Sequence, residues 1–151
     1  MNAIVDPVDS VRRALDSFVQ EEAYLLEVDA SERALTHRFA VHIERQFPAW
    51  NTDCEYNRDG NAVKKVLMRK LEAESELDEG SAIFPDVIVH RRGTSENLLV
   101  IEVKKTHTRR GRDADLEKLA AIKNELGYRH ACFVMFTCGN KAPGVEELRW
   151  I

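Results

Sequence analysis

What the chain lacks narrows its function first. It has three cysteines, Cys54, Cys132 and Cys138, an odd number with no C-x-x-C pair among them. A disulfide framework and a zinc knuckle are therefore not expected, and a reducing cytoplasm suits the composition best. The N-terminus has no basic segment leading into an apolar core, so no signal peptide is expected. No apolar run approaches the roughly 20 residues of a membrane span, which argues against a membrane partner. A glycine-rich phosphate loop, G-x-S-x-G and H-E-x-x-H are all missing, which removes common signatures of nucleotide binding, serine hydrolysis and zinc proteolysis. Nor is there an excess of positive charge. The formal net charge is -4, so any contact with nucleic acid must come from a local basic patch. Internal repeats, low-complexity tracts and interdomain linkers are absent too.

What is present reads as one soluble globular domain. The 151 residues are 44% hydrophobic and 32% charged, enough to bury a core. Val11, Leu15, Phe18, Val19, Leu25 and Leu26 recur at helical spacing and predict a helix over Val8 to Val28. Asp29-Ala30-Ser31-Glu32 predicts a capping box opening a second helix, in which Leu35, Phe39, Ile43 and Phe47 repeat every fourth residue before Pro48. Thr52 to Arg58 predicts a weaker strand ended by Asp59-Gly60. Between Asn61 and Gly80, Val63, Val66, Leu67 and Leu71 suggest a short helix, and the acidic run from Glu72 to Glu79 suggests a solvated face or loop.

Ile83 to Arg91 and Asn97 to Lys105 are the clearest strands, linked by Arg92-Gly93-Thr94-Ser95-Glu96. An amphipathic helix is expected over Asp113 to Leu126, with Gly127 closing it. A fully apolar strand follows over Ala131 to Phe136, and Pro143 to Ile151 suggests one more helical turn. The fold class is therefore α/β, a central mixed four-stranded sheet flanked by helices. Residues 1–28 form an N-terminal helical extension, 29–138 the core and 139–151 a tail.

The chemistry concentrates at the ends of the two clearest strands, where Asp86 follows Pro85 and Glu102-Val103-Lys104 closes an apolar run. Charges are costly there, because both strands read as buried on both faces. Side chains alternate along a strand, so Glu102 and Lys104 share a face. A hairpin centred on Thr94 puts Asp86 opposite Glu102, with Cβ atoms roughly 4.5–5.5 Å apart. A one-residue slip would part them. Two carboxylates that close repel, and a divalent cation between them would relieve the repulsion. Glu32 lies along the apolar stripe of its helix and either reaches the same cavity or serves the capping box. Lys104 has an alternative as a strand-end lysine paired with Glu102 or Asp86.

These residues resemble the PD-(D/E)XK nuclease superfamily, which has the restriction-endonuclease-like fold. Pro85-Asp86 matches its first element and Glu102-Val103-Lys104 its second. Glu32 matches the acid often found on the first core helix. The order helix, three strands, helix, strand from Glu32 to Phe136 matches the family core. Glu55-Tyr56-Asn57-Arg58, together with Pro85 to Gly93, is also similar to small uncharacterised bacterial members.

The resemblance implies an Mg²⁺-dependent nuclease hydrolysing phosphodiester bonds in DNA, with Mn²⁺ as a substitute cation. Asp86 and Glu102 would hold the metal with the Val103 backbone carbonyl. Lys104 would orient or deprotonate the attacking water, and Glu32 would support the metal. Lys105, Arg109, Arg110 and Arg112, with Lys118 on the next helix, would contact phosphates without reading sequence, unless they are ordinary solvated charge. The chain has no room for a separate recognition domain, so selectivity calls for a homodimer or a protein partner. The competing functions are a catalytically inactive nucleic-acid- or protein-binding module on the same fold, and a structural protein whose acids and lysine merely pair.

Overall fold

A computed structural model describes residues 6–55, 58–59, 62–63, 84–106, 111–139 and 142–151. Three helices open the chain: α1 (Pro7–Glu21), α2 (Ala23–Glu27) and α3 (Glu32–Gln46). Then come β1 (Asn51–Cys54), β2 (Arg58–Asp59), β3 (Ala62–Val63), β4 (Val87–His90) and β5 (Asn97–Lys105). The crossover helix α4 (Arg112–Leu126) leads to β6 (His130–Thr137) and β7 (Gly144–Trp150).

The expected α/β class holds, with one strand more than the sequence suggests. The mixed sheet is open and has the order β1-β4-β5-β6-β7. β5 and β6 are parallel and the other neighbours antiparallel. A parallel pair needs a long crossover, and α4 supplies it. The fifth strand corrects the helical turn expected in the tail. β6 is apolar on both faces, and β7 covers its outer edge with a run of antiparallel pairs from Cys132↔Trp150 to Thr137↔Gly144. Asn51–Cys54 is a shorter strand than expected and ends at Glu55, which adopts φ 49. Arg58–Asp59 instead pairs with Ala62–Val63 in a separate two-stranded sheet, so Val63 is in a strand rather than the expected helix. The rest of that expected helix and the acidic run lie outside the described residues.

Helices cover both faces of the sheet. Alternate β5 residues Leu99, Ile101 and Val103 face the larger core with α1 and α3, while Val100 faces Leu119 and Ile122 of α4. The helical extension is built into that larger core through Val11, Ala14, Leu15 and Phe18. The rings of Phe18, Phe39 and Phe136 join α1, α3 and β6, with centroids 4.9 to 5.9 Å apart. The expected single first helix breaks at Glu22, where φ is -110°. Arg38 Nε donates to Glu22 Oε1 at 2.9 Å, and the buried His42 ring lies 3.3 Å from the same oxygen. Partners on α3 thus hold the break. Among the described residues, no helix is long and apolar enough to cross a membrane.

The start of α3 also departs from the expected capping box. Ser31 is the N-cap, and its hydroxyl accepts from the Ala34 N–H at 3.1 Å. Asp29 adopts φ 54 in the turn before it, and its carboxylate accepts from Lys105 Nζ at 2.9 Å. Glu32 is therefore the first helical residue, too early in the helix to close a box from the third position. Ser31→Ala should cost about 1 kcal/mol in a urea melt, the ordinary worth of an N-cap hydroxyl. An unchanged midpoint would show that tertiary packing alone fixes the helix start.

Candidate functional site

β4 and β5 pair with Val87↔Ile101 and Ile88↔Val100. Continued one residue, that register sets Asp86 opposite Glu102, as a turn centred on Thr94 requires. The hairpin does carry a shift, between Val89 and His90, but at its far end. The Asp86 N–H points at Glu102 Oε1 at 3.4 Å, and Asp86 Oδ2 accepts from the Val103 N–H at 2.8 Å. Val103 therefore meets Asp86 through its N–H, a contact separate from the metal-ligand role expected of its carbonyl.

The two carboxyls are short of compensating charge. Burial pushes Asp86 above the ordinary carboxylate value, although the Val103 N–H pulls it down. Glu102 is 3% exposed. Burial pushes it well above the usual glutamate value, and the Asp86 charge pushes it further. Lys118 opposes both effects on Glu102, but burial and Asp86 outweigh it.

The lysine that meets this pair is not Lys104. Lys118 Nζ on α4 lies 3.2 and 3.3 Å from the two Glu102 oxygens and donates to the Phe84 carbonyl at 3.1 Å. Lys104 Nζ instead binds Asp115 Oδ2 at 2.8 Å. The geometry of the crossover explains the exchange. α4 runs back along β5, so Asp115 and Lys118, three apart on one helix face, sit over Lys104 and Glu102, two apart on one strand face. The signs match in reverse order. Asp115 is the residue that the sequence reading missed. Its signal was the complementarity of Asp115-x-x-Lys118 to Glu102-x-Lys104, legible only once the strand and helix are known to pack.

Glu32 approaches from the other helix layer. With Arg33, Thr36, His37, Cys54, Glu55 and Asp86 it lines a cleft of ≈ 550 Å³. Asp86 is thus the shared residue: it faces Glu102 across the hairpin and borders the cleft with Glu32. Glu102 and Lys104 do not line that cleft. Burial, followed by the charges of Glu55, Asp53 and Asp86, pushes the Cys54 thiol up and disfavours its thiolate. Cys54 is therefore a poor nucleophile.

The basic residues expected to meet phosphate are largely engaged within the fold. Lys105 Nζ donates to Asp29 and to the Ala30 carbonyl, both at 2.9 Å. Arg112 makes a bidentate pair with Glu147 at 2.6 and 2.8 Å. Lys118 serves Glu102, and Arg109 and Arg110 lie outside the described residues. Arg33 at the cleft is the more available cation. Its side chain is 83% exposed, and Glu55 is 3.4 Å away.

For a metal, the donor set is open rather than closed. Among the described residues, no three or more His, Cys, Asp or Glu side chains form a group that could hold one. Mg²⁺ asks for less, one or two carboxylates with waters and phosphate oxygens making up the shell. The Asp86–Glu102 pair fits that smaller requirement in donor chemistry, since two acids lie together with too little positive charge. No family model, curated protein or solved structure matches the chain.

Proposed function

We propose that this protein is a metal-dependent nuclease of the PD-(D/E)XK type, hydrolysing phosphodiester bonds in DNA with Mg²⁺. The observation that carries the reading is the facing pair Asp86 and Glu102, whose carboxyls burial holds above their ordinary pKa. A buried Glu102 facing a half-buried Asp86, which stands just before β4, is costly without a cation. The order α3, β1, β4, β5, α4, β6, with β2 and β3 set apart in their own two-stranded sheet, supports the same reading, as does the placement of Glu32 beside Asp86 at the cleft.

In this reading Asp86 and Glu102 are the cation ligands, and Glu32, which lines the cleft with Asp86, supports the cation directly or through a water. A bound divalent cation would supply charge neutralisation at the phosphate and a more acidic water. Lys104, fixed by Asp115, stands two residues beyond Glu102 on the same strand face and offers positive charge near the phosphate. Arg33 and His37, one helical turn apart on the cleft wall, offer further donors to a nucleic-acid backbone. Selectivity would come from a second copy of the chain or from another protein.

One observation favours a second reading, a non-catalytic nucleic-acid- or protein-binding module: Lys118 already contacts both Glu102 oxygens from within the fold. Cleavage assays on single-stranded, duplex and branched DNA and on RNA, with Mg²⁺ and with Mn²⁺, separate the two. Metal-dependent cutting of DNA supports the nuclease. No cutting of any substrate with either ion, by folded protein, supports the binding module.

A further inference from the structure

We infer that Lys118 is a resident counter-ion which competes with a divalent cation for Glu102, so that the ammonium must leave before the cation can bind. The inference rests on the cation site proposed above and specifies how that site is gated. Its basis is the geometry of α4 over β5. Lys118 Nζ contacts both oxygens of Glu102, at 3.2 and 3.3 Å, so it occupies the ligand atoms a cation would need. Its third contact, the Phe84 carbonyl at 3.1 Å, lies two residues before Asp86. The ammonium thus sits close to both acids, and a divalent cation on the same oxygens would meet a like charge a few ångströms away.

The other lysine cannot take this role, because Asp115 holds Lys104 at 2.8 Å. Lys118 is suited to withdraw. Its side chain is 19% exposed while that of Glu102 is 4% exposed, so Lys118 is the more solvent-accessible member of the pair. It also rides on a flexible four-carbon stem anchored to a helix rather than to the hairpin that carries the acids. Without a cation, the ammonium keeps the buried Glu102 from being left without a partner. With one, it gives up both oxygens. The site is therefore protected when empty and exchanges one positive charge for another when filled.

Calorimetric titration of Mn²⁺ into the wild type and Lys118→Met tests this. At equal pH and ionic strength, Lys118→Met should bind Mn²⁺ about tenfold more tightly or better, the equivalent of one lost ion pair. Its metal-free melting temperature should fall, and its rise on adding Mn²⁺ should exceed that of the wild type. Equal or weaker Mn²⁺ binding by Lys118→Met overturns the counter-ion role while leaving the cation site standing. No Mn²⁺ binding by either protein overturns the site, and the inference with it. Should Lys118→Met fail to fold, the wild type carries the test through the NMR signal of the Lys118 ammonium. Saturating Mg²⁺ should shift that signal and speed its exchange with water. A signal that stays put while Mg²⁺ binds overturns the inference.

Discussion

Glu102→Gln and Asp86→Asn are each expected to lower metal-dependent DNA cleavage by about 10²–10³-fold or more while leaving the fold intact. The magnitude is that of removing one group that stabilises transition-state charge inside a water-poor site. These substitutions keep volume and hydrogen-bonding capacity, which matters here. Asp86 Oδ2 accepts the Val103 N–H, and an alanine at 86 would orphan that donor and confound a loss of activity with a loss of structure. Asparagine retains an acceptor. The proper control is far-ultraviolet circular dichroism and the urea midpoint of each variant beside its initial rate. A variant that keeps most of its metal-dependent activity would remove its residue from the site.

The second large effect is on stability, and its sign is opposite to the usual one for a mutated buried residue. Asp86 and Glu102 both have folded-state pKa values above their ordinary values, Glu102 far more so. Between the ordinary and the raised value, the folded state holds a proton that the unfolded state has released. Stability is therefore complete below about pH 4.5 as far as Glu102 is concerned, and is lost as pH rises through the folded value. Each unit of that elevation is worth about 1.4 kcal/mol.

Glutamine mimics the protonated form and cannot ionise. Metal-free Glu102→Gln should match the wild type near pH 4 and be the more stable protein at pH 8, with Asp86 leaving a smaller residual slope in both. Denaturant melts across this range decide the point. A wild type whose stability rises from pH 4 to pH 8 relative to Glu102→Gln would mean that Lys118 dominates Glu102 and keeps it ionised at little cost. Saturating Mn²⁺ should shift the comparison at pH 8 toward the wild type, since a ligand at about 100 times its Kd adds roughly 2.7 kcal/mol to the protein that binds it.

Much of this site could be read from the chain because its parts are local to one hairpin. The apolar run Asn97 to Lys105 is β5 with the expected bounds, and the even spacing about Thr94 gives the register that brings Asp86 to Glu102. The class of the fold follows from two strands apolar on both faces and a crossover helix. The features that were not legible depend on partners far away in the chain. The helix break at Glu22 is held by Arg38 and His42 of α3.

Asp29 and Ser31 are both good N-cap residues, and what separates them is that Lys105, 76 residues later, takes the Asp29 carboxylate. β7 carries two adjacent glutamates and an uneven burial pattern, so its strand character comes from the open edge of β6. The choice of lysine had the same origin. Strand alternation places Lys104 on the face of Glu102, but only the path of α4 decides that Asp115 takes Lys104 and that Lys118 takes Glu102.

The central claim is that Asp86 and Glu102 are a divalent-cation site. Its most direct test is a crystal of the wild-type protein soaked in Mn²⁺, read by anomalous scattering at the manganese edge. The account predicts a peak within about 2.5 Å of one oxygen from each carboxylate, with Lys118 Nζ drawn away from Glu102. A saturating soak that leaves no peak between the two acids, with Lys118 still bonded to Glu102, would contradict it.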